Sequence, residues 1–342
     1  MKKFILNLIS DIKNIKFFFS INTKDKICIF NENENTFQYL EYYLNNKNKK
    51  KIIFFSLKKI SYNFHKNVEL IHLNFNFFIE IFFLFLKSKF IYSTTPGLNS
   101  TIFKKSMFSR NSKYIYIQHS PVSLVMAYEK NAFIEFDAIQ TINNYQFREV
   151  KQINNLYSKK IKPFKSKYKF LKYNKKKQQN KNLLIAPTWK TNFYSSGFHL
   201  ILFHKLINKN INFEFRPHYM SLKNKEFDMR NLDFIKNKID TSPTLKLSDY
   251  KNLVSDWSGI YLEFLILNRR KPYLFNSKKK ILNLDYNLKF GTNSIEEYTR
   301  DKICFTYNFD QVDLFVEDLI EKENEDYENQ DINQFLNENF YI

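Results

Sequence analysis

The stretch from Leu253 to Asn268 reads LVSDWSGIYLEFLILN. Leu253 to Asp256 have the length and apolarity of a short buried strand, and a tight turn through Trp257 and Ser258 follows. A helix then begins near Gly259. From Ile260 to Leu267 it is apolar almost all round, which marks an element buried on every side. Arg269, Arg270 and Lys271 suit its C-terminal dipole, and Pro272 stops it. A strand that feeds straight into a helix aims the first-turn N–H groups of Gly259 and Ile260 at one spot. The hydroxyls of Ser255 and Ser258 lie beside them, and such a terminus seats phosphate. An ordinary strand–turn–helix with Ser258 as N-cap accounts for the same residues equally well. The function therefore has to be argued from the rest of the chain.

Outward from this stretch the same unit recurs. Upstream are a strand from Asn182 to Ala186 ending in Pro187, Thr188, Trp189 and Lys190, and a helix from Phe198 to Ile207. A strand from Asn212 to Phe215 ends in Arg216, Pro217, His218 and Tyr219, with a helix near Glu226 to Asn237 after it. Downstream is a strand from Lys271 to Phe275. Nearer the N-terminus the pattern repeats with strands at Lys26–Phe30, Lys51–Ser56, Phe90–Ser93, Tyr114–Gln118 and Ala138–Ile142, with helical stretches after several of them. Short apolar strands alternating with helices mean parallel sheets covered on both faces. The fold class is therefore α/β, with two Rossmann-like domains facing across a cleft.

Lysine-rich residues 151–181 interrupt the alternation and set the division: an N-terminal Rossmann-like domain over 1–150, a linker over 151–181, a C-terminal Rossmann-like domain over 182–310, and an acidic helical segment over 311–342. Between 159 and 181 there are eleven lysines and no acid, and between 310 and 338 eleven acids and one lysine. The net charge of +20 over 342 residues favours an anionic partner. Part of the Lys, Asn, Phe and Tyr excess is discounted as drift of an AT-rich genome, so the charge alone does not make this a nucleic-acid-binding protein. Cys28 and Cys304 show no metal or redox spacing and suit a reducing compartment. No apolar run is long enough to cross a bilayer. The first twenty residues, with Phe4, Ile5, Leu8, Ile9, Ile12 and Ile15 among Lys2, Lys3, Lys13 and Lys16, read as a surface helix or an interfacial membrane helix.

Polar constellations gather at strand ends, where ligands of open α/β sheets bind. His119 follows its strand directly and Pro121 holds Ser120 extended, which presents an imidazole suited to take a hydroxyl proton. A loop histidine held by hydrogen bonds explains it as well. Arg216 and His218, two apart on an extended segment, share one side and suit a phosphate; pairing of Arg216 with Glu214 is the plainer alternative. Thr188 can donate one more bond to an anion. Glu263 is a lone carboxylate in an apolar helix and needs a partner, either ribose hydroxyls or an arginine. There is no Walker or dinucleotide fingerprint, no serine elbow and no metal-ligand spacing. No metal or cofactor is expected.

Four pieces in order resemble the CDP-glycerol glycerophosphotransferases, the enzymes of teichoic acid and related capsule polymers. Tyr116 to Pro121 (YIQHSP) is similar to the family's His-Gly-Thr-Pro segment, and Ile185 to Lys190 (IAPTWK) to its Ala-Pro-Thr-Trp-Arg. Phe215 to His218 (FRPH) is similar to Arg-Pro-His, and Val254 to Phe264 to Thr-Asp-Tyr-Ser-Ser and the helix after it. The resemblance implies a GT-B fold, a cytoplasmic location, peripheral at the inner face of the cell membrane, and transfer of a polyol phosphate from a CDP-activated donor to a polymer or lipid-linked hydroxyl. It implies His119 and His218 as catalytic residues, and Arg216, Thr188, Ser255, Ser258, Gly259 and Ile260 on the donor phosphates. Two departures stand out: Gly-Thr after the first histidine is Ser120-Pro121, and the second serine of the Ser-Ser pair is Gly259. A nucleotide-sugar glycosyltransferase of the same architecture is the alternative reading, and a basic nucleic-acid-binding protein the alternative of another class.

Overall fold

The computed structural model describes residues 2–32, 34–44, 51–60, 62–168, 181–242, 245–291, 294–322 and 330–341. They divide into two compact units. The first takes the described residues up to His119, those from Tyr128 to Tyr168, and Tyr341; the second takes Ser120–Ala127 and the described residues from Lys181 to Phe340.

In the first unit the chain runs α1 (Lys2–Ser20), β1 (Ile27–Asn31), α2 (Glu34–Leu44), β2 (Ile52–Ser56), β3 (Val68–His72), α3 (Asn76–Phe85), β4 (Phe90–Ser93), β5 (Lys113–Tyr116), β6 (Ala138–Thr141), α4 (Asn144–Tyr157) and β7 (Lys162–Lys165). The strands form one parallel sheet in the order β3-β2-β1-β4-β5-β6-β7. Every residue of β2 is buried, as a central strand covered on both faces requires. At about 1.5–3 kcal/mol for each fully buried Ile or Phe, such strands account for the apolar runs that made them readable.

The two edge strands were not expected. In β3 the Leu70 side chain is 39% exposed and Glu69 pairs with Lys26. An edge strand has one neighbour and keeps less of its apolar signature. β7 falls inside the stretch expected to be linker, and α4 also extends into it. Strand and helix belong to the first unit, so the boundary lies later than residue 151. The missing N–H of Pro163 is tolerated because β7 is an edge. The remainder of the expected linker, 169–180, lies outside the described residues.

The second unit runs β8 (Lys181–Ile185), α5 (Phe198–Asn208), β9 (Phe213–Phe215), α6 (Tyr219–Lys223), β10 (Tyr250–Ser255), α7 (Ile260–Asn268), β11 (Tyr273–Phe275), α8 (Ile295–Lys302), β12 (Phe305–Tyr307), α9 (Val312–Glu321) and α10 (Gln330–Asn339). Its parallel sheet has the order β12-β11-β10-β8-β9. One face packs Leu183, Ile185, Phe213, Phe215 and Phe275 against Phe198, Leu202 and Leu206 of α5 and Phe315, Val316 and Leu319 of α9. Residues Met229–Lys238, expected as an ordinary helix, form a 3-10 stretch broken at Ile235. The opening stretch is a strand and a helix, and α7 buries Tyr261, Leu262, Phe264, Leu265 and Ile266. Strand order reverses between β8 and β10, which places the loops after these two strands on either side of a topological switch point.

Candidate functional site

The turn between β10 and α7 is fixed by a buried carboxylate. Asp256, fully buried, accepts the N–H of Thr188 at 2.7 Å on one oxygen, and the hydroxyls of Thr191 (2.9 Å) and Ser277 (3.2 Å) on the other. Burial pushes its pKa up, and these donors hold it down. Three strand ends, those of β8, β10 and β11, are thereby tied at one point. The Arg300 guanidinium donates to the Asp256 carbonyl at 2.7 Å and lies 4.3 Å from the Trp257 ring centre, while Trp257 Nε1 donates to the Ser277 carbonyl.

This bracing holds the α7 N-terminus open. Gly259 is its N-cap residue and no side chain caps it. Leu262 and Glu263 N–H groups reach back to the Gly259 carbonyl. Among the described residues the N–H groups of Gly259 and Ile260 have no acceptor. An uncapped first turn with its partial positive charge is an anion seat. Ser258, the alternative cap, is buried immediately ahead of it.

Around the switch point stand further donors. Lys280 Nζ donates to Thr188 Oγ1 at 3.2 Å and lies 4.7 Å from the Trp189 ring centre. Trp189 stacks on His218 with ring centres 6.2 Å apart. His218 Nδ1 accepts the N–H of Met220 at 3.1 Å, so the neutral ring carries its proton on Nε2 and is a donor there. Burial and the nearby Lys280 push its pKa down to about 3. His218, expected as catalytic, is thus a neutral ring at physiological pH that offers Nε2–H as a donor.

Other expected members of the donor group have different work. Ser255 Oγ donates to the Ala186 carbonyl at 2.7 Å, so its proton joins two strand ends and is not offered to phosphate. Arg216 does not pair with Glu214. Its Nη1 bonds Asp240 at 2.6 Å and its Nη2 the Ser242 carbonyl at 2.8 Å, because Ile239 bridges to Phe215 and brings Asp240 alongside. Glu214 instead pairs with Lys181. Glu263 lies in the first turn of α7, half-buried.

In the first unit His119 follows β5. Its Nδ1 is 3.0 Å from Tyr116 Oη, its Nε2 3.5 Å from Tyr128 Oη, and the two phenols are 3.5 Å apart. With Nδ1–H donating to Tyr116, Tyr116 to Tyr128, and Tyr128 to Nε2, each phenol donates once and accepts once. The lone pair then falls on Nε2, under the long contact to Tyr128. Burial pushes the His119 pKa down to about 4, opposed by the Thr94 backbone. The ring is therefore uncharged across the neutral range.

Comparison with known proteins bears on this second-unit site. Residues 171–280 match the family described as CDP-Glycerol:Poly(glycerophosphate) glycerophosphotransferase. The match covers about a third of the chain. That span holds Thr188, His218, the Asp256–Ile260 turn and, as its last residue, Lys280. Two structures of the wall teichoic acid polymerase TagF, a histidine-to-asparagine variant soaked with CDPG, are similar to this chain. They match with TM-scores of 0.57 and 0.55 at 12% and 13% identity, covering 97% of this chain and 90% of TagF. An S. aureus MnaA–UDP structure matches with a TM-score of 0.51 at 10% identity over 92% of this chain and 91% of that one. These likenesses establish the fold, that of the GT-B enzymes. Among curated proteins none matches the chain in sequence.

Lys280, Asp256, Arg300, Tyr116 and Tyr128 were missed as site residues. Lys280 sits in a run of three lysines that reads as a solvated face. The one available signal was its position shortly after the end of β11.

Proposed function

We propose that the chain transfers a polyol phosphate from a CDP-activated donor to a hydroxyl of a teichoic-acid-type surface polymer. The observation that carries this reading is that the matched span coincides with the uncapped α7 terminus and the donors ranged about it. The seat holds the donor's diphosphate. The acceptor oxygen attacks the phosphorus bearing the polyol, the bond to CMP breaks with its electron pair leaving on CMP, and the acceptor proton passes to His119 Nε2. Positioning and electrostatics supply most of the acceleration. The test is a panel of CDP-glycerol, CDP-ribitol, UDP-sugars and GDP-sugars with a lipid-linked polymer acceptor. Release of CMP from a CDP-polyol alone is the expected result; release of UDP or GDP transfers the reading to a nucleotide-sugar glycosyltransferase.

The same reading places the enzyme at the membrane face where lipid-linked acceptors are held. Phe4, Ile5, Leu6, Ile9, Phe17 and Phe19 of α1 are 40–58% exposed, among Lys2, Lys3, Lys13 and Lys16. Among the described residues no helix is long and apolar enough to cross a membrane. Exposed apolar side chains interspersed with lysines suit an anionic bilayer surface. The protein should co-sediment with phosphatidylglycerol-containing vesicles and much less with phosphatidylcholine alone. Ile5→Ser with Ile9→Ser should abolish that binding, and equal binding by the variant would overturn the assignment.

A further inference from the structure

Lys280 is an ammonium with unfinished coordination. Of its three N–H groups one is donated to Thr188 Oγ1, and among the described residues it forms no ion pair. The carboxylates whose field reaches it are Asp256, Glu226 and Glu296; each has an oxygen engaged elsewhere, and Glu226 Oε2 is buried without a hydrogen-bond partner among the described residues. Asp256 takes Thr188, Thr191 and Ser277; Glu226 takes the Lys190 N–H at 2.8 Å; Glu296 takes the Ser123 N–H at 2.9 Å. The ring of Trp189 covers one side. A half-buried ammonium with two N–H groups left over and, among the described residues, no direct ion pair can complete its coordination on a ligand anion. Thr188, by accepting from Lys280, leaves its own O–H to donate in turn. His218 Nε2–H is a further donor across the Trp189 ring.

We infer that Lys280 binds the donor's diphosphate and stabilises the charge that passes to the nucleotide phosphate as the phosphoanhydride bond breaks. The inference rests on the donor seat of the proposed function but not on the identity of the donor. In the step itself the electron pair of the broken P–O bond stays on the bridging oxygen, which leaves as part of CMP. Lys280 remains charged throughout and no proton is transferred from it.

Burial lowers the Lys280 pKa to about 8, against the raising pull of Asp256, Glu226 and Glu296 and with the repulsion of Lys190. The imidazole of His218 is neutral there, and neighbouring Lys279 is paired with Glu297. A bound diphosphate draws the ammonium pKa upward. Binding at pH 8 should therefore take up about half a proton, the fraction missing from a group at its pKa.

The experiment is calorimetric titration of the full-length protein with CDP, and with inorganic pyrophosphate, at pH 8 in buffers of different ionisation enthalpy. Wild type is expected to take up protons, and its affinity to weaken as pH rises through 8. Lys280→Met should weaken CDP binding by about 10- to 100-fold, the range for a lost charge-assisted hydrogen bond. Lys280→Arg should retain binding, show no proton uptake and lose the pH dependence, which a merely structural role would not produce. Equal CDP affinity in wild type and Lys280→Met overturns the inference and leaves the proposed function standing. Lys280-dependent pyrophosphate binding without turnover of any CDP-polyol does the reverse. Absence of binding by either ligand overturns both.

Discussion

Replacement of His119 by alanine should lower kcat/KM by about 10²- to 10⁴-fold, the contribution of a positioned general base, and leave CDP affinity unchanged. The selectivity follows from location: the diphosphate donors belong to the second unit, and His119 to the first. For Nε2 to accept a proton, Nδ1 must carry one, and Tyr116 is the group that fixes this. The Tyr116 ring is fully buried against Phe133 and Phe136, and its phenol pKa is held far above the usual value by burial. It stays protonated and donates onward to Tyr128. Tyr116→Phe should therefore reduce kcat with little change in KM, by less than the histidine deletion, since the imidazole remains but its tautomer is no longer held.

The pH profile carries the same assignment. A base with its pKa lowered to about 4 is competent at neutral pH and loses competence as pH falls through 4, so the acid limb of kcat/KM should be displaced below that of an ordinary histidine near 6.5. The alkaline limb of kcat/KM should reflect Lys280 and appear near 8. Activity retained in His119→Ala, or an acid limb that persists in that variant, would remove His119 from the chemistry.

How much of this was legible depended on whether the deciding contact was local. The β10–α7 unit was readable because an apolar strand, a turn, an all-round apolar helix and a basic stop lie consecutively. Thr188 and His218 were readable as strand-end residues for the same reason. β7 was not, because Lys162 and Lys165 around Pro163 look the same in an edge strand as in a linker. Arg216 was placed on phosphate because it shares one side of an extended segment with His218, and the only local rival was Glu214. Its partner, Asp240, comes 24 residues later and is delivered by the bridge between Phe215 and Ile239. The Ser255 proton goes to a carbonyl 69 residues distant. Lys280 was missed because a lysine run carries no mark of which member is enclosed.

The two departures from the family pattern, Ser120 and Gly259, meet in the structure, and this yields the second large expectation. A Cβ at position 259 would lie 2.6 Å from Ser120 Oγ and 2.6 Å from Val122 Cγ1, distances no carbon tolerates. Glycine is there because the side chains of Ser120 and Val122, in the second unit with it, pack close to its Cα. Gly259→Ser, which restores the family's residue, should thus be harmful in this chain. Overpacking of this kind costs about 1–3 kcal/mol, and displacing the first turn of α7 should weaken CDP binding as well. Ser120→Gly removes one of the two clashing groups and should recover part of the loss. Adding Val122→Ala should recover most of the remainder, since a β-branched side chain cannot rotate both methyls away. Residues in contact couple by about 0.5–3 kcal/mol in double-mutant cycles. Denaturant unfolding of Gly259→Ser, Ser120→Gly and their combination measures that coupling directly. Strict additivity would mean that the loop and the helix do not touch, and the two substitutions would then have to be explained separately.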